Sequence, residues 1–140
     1  KLKPEAFIEL AKVQLDYFEE NAPYKKSWKN SRVIAIDGSV LNLPNSEELK
    51  SVYGCLLNKT EEGAVAKCSF AYDVCNELII DSYVGTINNS EQELALRHLP
   101  RLNSDTDILV FDRGYPSQWL IGLLMQKGFQ FCFRLNSSWK

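Results

Sequence analysis

The chain switches between two hydrophobic periods, and each switch marks a boundary. From Pro4 to Glu20 the spacing is helical: Phe7, Ile8, Ala11, Leu15 and Phe18 share one face, while Lys12, Asp16, Glu19 and Glu20 lie elsewhere. Pro4 suits the first helical position, and Asn21 with Pro23 ends the segment. The pattern predicts an amphipathic helix packed on a core. Tyr24 to Ser31 is a basic-aromatic linker. Arg32 to Ile36 carries four apolar residues in a row, which predicts a strand buried on both faces. Asp37-Gly38-Ser39 breaks it. Leu41 to Pro44 continues as an extended segment, Ser46 to Leu49 opens a short helix that stops at Gly54, and Asn58 to Gly63 reads as a polar, flexible loop.

Residues 65–74 alternate instead. Ala66, Cys68, Phe70, Tyr72 and Val74 face one way and Lys67, Ser69 and Asp73 the other, which predicts a half-buried strand. Leu78 to Val84 returns after a turn at Cys75-Asn76 and closes an antiparallel hairpin. Ser90-Glu91-Gln92-Glu93 is a capping box. It opens a helix with Leu94, Ala95, His98 and Leu99 on one side. Ile108 to Phe111 is the next buried strand and ends at Asp112. Ser117 caps a helix carrying Leu120, Ile121, Leu124 and Met125, which Gly128 stops. Phe129, Phe131, Phe133 and Leu135 alternate with Gln130, Cys132 and Arg134, the pattern of an edge strand.

The order is helix, strand, short helix, strand, strand, helix, strand, helix, strand. This is an α/β chain: a mixed five-stranded sheet flanked by helices over residues 32–140, preceded by the amphipathic helix and linker of residues 1–31. The first and fourth strands, both wholly apolar, fit its centre. With 140 residues, 45% of them hydrophobic and 24% charged, the chain can bury one real core. No apolar run approaches the roughly 20 residues that span a bilayer, and no signal pattern opens the chain, so a cytoplasmic protein without membrane contact is expected. Four cysteines without C-x-x-C spacing and one histidine, His98, make a poor zinc site. His98 reads as a core residue.

The net charge of −2 opposes a stand-alone nucleic-acid binder, so any such role needs a local basic patch or basic regions elsewhere. Lys25, Lys26 and Lys29 in the linker, and Arg113, are the candidate DNA contacts. The sharper chemistry lies in two acids, Asp37 and Asp112, each placed where an apolar strand stops. In an α/β sheet that is the carboxyl edge, where ligands and metals sit. Two carboxylates brought together there supply the oxygen ligands of a hard cation such as Mg²⁺. Asp81 lies inside a strand and Asp107 begins one, so neither occupies that edge.

Val33-Ile-Ala-Ile-Asp37-Gly-Ser39, Leu41-Asn-Leu-Pro44, Ile108-Leu-Val-Phe-Asp112-Arg-Gly-Tyr-Pro-Ser117 and Gly128-Phe-Gln-Phe-Cys-Phe-Arg134-Leu together resemble the catalytic core of DDE transposases, in particular bacterial insertion-sequence transposases of the "family four" type. The resemblance implies a ribonuclease H-like fold with the first and fourth strands adjacent and parallel. It implies Asp37 and Asp112 as the first two catalytic and metal-binding acids, with two Mg²⁺ (or Mn²⁺) ions in the complete protein. It further implies metal-dependent DNA cleavage and strand transfer at transposon ends, a homodimer in the DNA complex, and a nucleoid-associated location in a bacterium. Family members complete the site with a glutamate on a later helix. Glu91 and Glu93 lie on a different helix and the chain stops at Lys140, so the resemblance implies a fragment, inactive by itself. Two other readings remain: a ribonuclease H-like remnant that binds DNA or oligomerises without catalysis, and a haloacid dehalogenase-like phosphatase. The phosphatase motif needs a nucleophilic aspartate where this chain has Ala35.

Overall fold

The structure, a computed structural model, describes residues 3–22, 25–57 and 62–137. Helix α1 (Pro4–Asn21) leads into strand β1 (Arg32–Asn42), helix α2 (Glu47–Tyr53), and strands β2 (Cys55–Leu57), β3 (Glu62–Asp73) and β4 (Leu78–Gly85). Helix α3 (Glu91–Leu96), a 3₁₀ turn (Leu99–Arg101), β5 (Asp107–Phe111), α4 (Gln118–Gln126) and β6 (Gln130–Phe133) complete the chain. Of the stretches read from sequence, Pro23, Tyr24 and residues 58–61 lie outside the described residues. The α/β architecture expected from the sequence is present: a mixed sheet ordered β2-β3-β1-β5-β6, with β4 also paired to β3, flanked by helices.

Three strands differ from the sequence expectation. A sixth, β2, pairs Cys55–Leu57 with the start of β3, which begins at Glu62 and not at residue 65. Strand β1 does not break at Asp37-Gly38-Ser39. Its antiparallel ladder with β3 runs on through Asp37↔Phe70, Gly38↔Ser69 and Ser39↔Cys68 to Asn42↔Val65, and this pairing overrides the turn preference of Asp-Gly. Nor is β1 buried on both faces. Ile34 and Ile36 are fully buried, whereas Val33 and Ala35 are half-buried, because α3 and α4 cover one face only. On β3 both faces are buried in part: Ala66 and Cys68 are buried on the apolar-looking face while Phe70 and Tyr72 there are half-buried, and Ser69, Ala71 and Asp73 are buried on the face that looked polar. Small side chains on that face let α3 approach.

The core sits between the sheet and the α3–α4 layer. It is built from Ile34, Ile36, Ala71, Leu109 and Phe111 on the strands and Ala95, Leu99, Leu120 and Leu124 above them. Helix α1 does not join it. No residue of α1 is buried, and Phe7, Ile8, Leu10, Val13 and Tyr17 are exposed, contrary to the expected packing. His98 is fully buried and bridges Ser69 (3.0 Å) to Asp81 (2.9 Å), tying β3, β4 and the end of the α3 segment together.

Local signals hold the helices at their read positions. Ser90 accepts from the Glu93 N–H (3.1 Å) and the Glu93 carboxylate accepts from the Ser90 N–H (2.9 Å). The Ser90 N–H, then the Asn89 side chain, hold the Glu93 carboxyl below its usual range, so this clasp is made near neutral pH and weakens as pH falls through that range. Ser90→Ala is expected to cost about 1 kcal/mol, read as a loss of about 2–4 °C in thermal melting followed by circular dichroism. Ser117 caps α4 through the Leu120 N–H (3.1 Å), and Gly128 stops it with φ +77°, a conformation that only glycine adopts freely.

Candidate metal and phosphodiester site

The site begins with register. The parallel pairing of β1 and β5 runs from Arg32↔Asp107 to Ile36↔Phe111 and stops there. One residue further along each chain come Asp37 and Asp112, immediately after the last paired couple of the two adjacent strands. Beyond this point β1 continues along β3 while β5 leaves the sheet. The result is a notch: the flank of β1 that β5 covered lies open from Asp37 onward. Both acids are exposed at its mouth.

Each carboxylate is engaged only lightly. Asp37 accepts a hydrogen bond from the N–H of its own neighbour Gly38 (2.8 Å). Asp112 lies 3.5 Å from Arg134, an ion pair with both side chains more than half exposed and thus worth little in water. Among the described residues no three histidine, cysteine or acidic side chains stand around a shared ion position.

The floor of the notch is Tyr115. Its N–H bonds to the Asp112 carbonyl (3.1 Å), its ring packs on Phe111, and only 1% of the residue is exposed. Its hydroxyl is buried without a hydrogen-bond partner. Burial first, and then the charges of Glu91, Asp37 and Asp112, push its pKa well above the usual tyrosine value. Gly38 and Gly114 make room. A Cβ at Gly38 would stand 3.2 Å from the Cys68 carbonyl oxygen, 3.4 Å from the Tyr115 hydroxyl and 3.5 Å from Glu91 Cγ; one at Gly114 would stand 3.4 Å from Glu91 Oε2. Glu91, set aside by sequence as belonging to another helix, thus leans against residues adjacent to both aspartates. No periodicity or spacing signals this, because α3 crosses over β1 and β3 only in three dimensions.

The other sequence candidates lie apart. Lys25, Lys26 and Lys29 precede β1 and sit at the opposite rim of the sheet, separated from Asp37 by the five-residue length of strand after Arg32, about 17 Å. Lys25 pairs with Glu19 (2.9 Å), Lys29 lies over the Trp28 ring, and the Lys26 backbone is clasped by Asn76 at 2.9 and 3.0 Å. Lys25 and Lys26 line a cleft of about 370 Å³ with Arg32 and Asn103. Arg113, next to Asp112, is exposed beside the notch. Asp107 and Asp81 are structural, paired with Arg32 (2.8 Å) and His98 (2.9 Å). Among the described residues no helix is long and apolar enough to cross a membrane.

No family model and no curated protein matches the chain. Among solved structures, its fold is similar to that of the piggyBac transposase in a cryo-EM synaptic complex with hairpin DNA: 13% identity and a TM-score of 0.53, over 79% of this chain and 24% of that one. The Mos1 transposase paired-end complex with the left transposon end and the crystal structure of the Mos1 mariner paired-end complex with Mn align at 8% identity, with TM-scores of 0.46 and 0.48, each over 94% of this chain and 43% of the other. The piggyBac likeness is one of fold: a mixed sheet flanked by helices like a ribonuclease H-like transposase core. The chain spans about a quarter of the length of that transposase.

Proposed function

We propose that this chain is part of the catalytic core of a DNA transposase that cleaves and transfers strands at transposon ends, with Asp37 and Asp112 as its first two metal-binding acids. One observation carries the reading. The last couple of the β1–β5 register, Ile36↔Phe111, stands one residue before Asp37 and Asp112, where one strand stops and its neighbour continues, and this supports the two acids as neighbours on a fold similar to that of a transposase. The donor set fits a divalent cation: the carboxylates are oxygen ligands, as Mg²⁺ or Mn²⁺ requires, and a buried hydroxyl beneath them lacks a partner. When bound, a pair of such ions stabilises the charge that grows on the entering and departing oxygens of an in-line phosphodiester displacement.

The chain's own residues do the rest. Asp37 and Asp112 would hold such ions through their carboxylate oxygens. The open flank of β1 leaves the notch accessible to a phosphodiester, and Arg113 stands beside it to meet a phosphate. Arg134 makes only a weak, exposed pair with Asp112 and is free to swing away, being 66% exposed. Lys25, Lys26 and Lys29 would meet DNA away from the point of cleavage, since they occupy the far rim. A bacterial insertion-sequence origin of the "family four" type and a homodimer on the DNA belong to the same reading.

Metal removal tests it. Conversion of supercoiled plasmid to the nicked form by the protein carrying this core is expected to require Mg²⁺ or Mn²⁺ and to vanish in EDTA. Nicking that persists in EDTA overturns the reading. DNA binding with no nicking under any divalent cation marks a non-catalytic remnant instead.

A further inference from the structure

Resting on that reading, we propose that the turn at residues 27–31 is a stacking site for an unpaired nucleobase of the DNA. Trp28 supplies the ring, and Lys26 and Lys29 meet the flanking phosphates. Trp28 and Ser31 exchange both backbone hydrogen bonds, each at 2.9 Å, so Lys29 and Asn30 alone form the tip. Both have positive φ, 49° and 66°. That is the conformation of a two-residue hairpin turn, which glycine and asparagine favour and lysine does not. Lysine at this position costs conformational energy, and its Nζ stands over the neighbouring ring, 4.7 Å from the Trp28 centroid. Trp28 nevertheless keeps 52% of its surface in solvent.

The tip is anchored from behind. The Asn76 side chain accepts from the Lys26 N–H at 2.9 Å and donates to the Lys26 carbonyl at 3.0 Å. The buried Asp73 carboxylate fixes Asn76 in turn, accepting from its side chain at 2.8 Å and its N–H at 3.1 Å. On the other side of the turn, the Arg32 N–H bonds to the Thr106 carbonyl at 2.8 Å. An aromatic ring on such a preformed support loses little freedom when it binds. Its surroundings choose the partner. A tryptophan anchoring a protein interface sits in an apolar patch depleted of charge. Trp28 is instead flanked by Ser27, Lys29 and Asn30, all exposed. Among the described residues Lys26 and Lys29 make no salt bridge, whereas Lys25 pairs with Glu19. Free cations beside a bare ring fit a single strand, in which the ring stacks on a base and the cations track the backbone. A duplex hides its base faces, so the ligand is a base out of the stack.

The test is equilibrium binding of the whole chain to three fluorescein-labelled DNAs: a single strand, a duplex, and the same duplex with one extrahelical base. Trp28→Ala is expected to weaken binding to the single strand and the bulged duplex about 5- to 150-fold, and to leave the plain duplex unchanged. Trp28→Phe keeps a ring and is expected to recover most of the loss. Lys29→Ala is expected to weaken binding to all three, and to lower the salt slope on the single strand by about 0.7. With 2-aminopurine as the extrahelical base, wild-type binding is expected to quench its fluorescence and Trp28→Ala to leave it bright. Equal losses on all three DNAs in Trp28→Ala, or wild-type affinity throughout, overturns the stacking role and leaves the transposase reading standing. Unchanged DNA affinity with a shift from oligomer to monomer in Trp28→Ala marks a protein contact and overturns it too. No binding by the wild-type chain to any of the three overturns the inference, while metal-dependent nicking judges the parent reading separately.

Discussion

Asp37→Ala is expected to keep its fold and to lose metal-dependent strand cleavage by about a thousandfold or more. The size follows from the role. A cation at a transferring phosphoryl oxygen stabilises the transition state by several kcal/mol, and each 1.36 kcal/mol is tenfold in rate. The intact fold follows from the surroundings. Asp37 is exposed and its side chain bonds only to the N–H of Gly38, which water can replace. Truncation leaves no buried orphan, and a stability change within about 0.5 kcal/mol is expected. Asp112→Ala should behave alike, since it releases only the exposed Arg134. Asp105→Ala, an exposed loop acid away from the notch, serves as the control. The checks are plasmid nicking in Mn²⁺ and melting by circular dichroism. A cooperative melt together with wild-type nicking in Asp37→Ala would reject the assignment.

Arg32→Ala is expected to destabilise the chain by about 3–5 kcal/mol, a fall of roughly 10–20 °C in melting temperature. Asp107 has a side chain with no exposed surface, and the Arg32 guanidinium holds it with two bonds, Nε at 2.9 Å and Nη2 at 2.8 Å. The Asn103 N–H adds a third at 2.8 Å. Removing the guanidinium leaves a buried carboxylate with too few partners, which costs far more than the pair contributes. Hydrogen bonding to Asp107 outweighs burial and raises the pKa of Arg32, so the clasp keeps its positive partner throughout the accessible pH range. Arg32→Lys should fall between, because an ammonium cannot make the two-pronged contact. An Arg32→Met/Asp107→Leu double variant should recover most of the loss, since it buries no charge. Chemical denaturation of the four proteins decides it, and a loss below 1 kcal/mol in Arg32→Ala would show the clasp to be incidental.

The clasp also bears on the site. Arg32↔Asp107 is the first couple of the β1–β5 ladder, and Asp37 and Asp112 stand five residues further along the same ladder. A slip of one residue at the clasp would turn every side chain of the strand to the other face and part the two acids. A structural ion pair at one rim thus fixes the geometry of the candidate site at the other.

What the sequence determined by itself was local. Continuous apolar runs marked β1 and β5, the Ser90–Glu93 and Ser117 caps marked α3 and α4, and Gly128 marked a helix end; each depends on residues within a few positions of one another. The acids at Asp37 and Asp112 were legible for the same reason, as breaks in those runs. Tertiary pairing decided the rest. Asp37-Gly38-Ser39 is extended and not a turn because β3 lies alongside to accept its hydrogen bonds. The small residues of β3 face inward because α3 needs close approach, and α1 keeps an apolar face exposed although its period is that of a packed helix. Glu91 could not be placed against Gly38 and Gly114 from spacing, because α3 and the Asp112–Tyr115 loop meet only once the sheet has formed. Short-range patterns encode backbone conformation, whereas the meeting of distant side chains is set by register and by which face each helix covers.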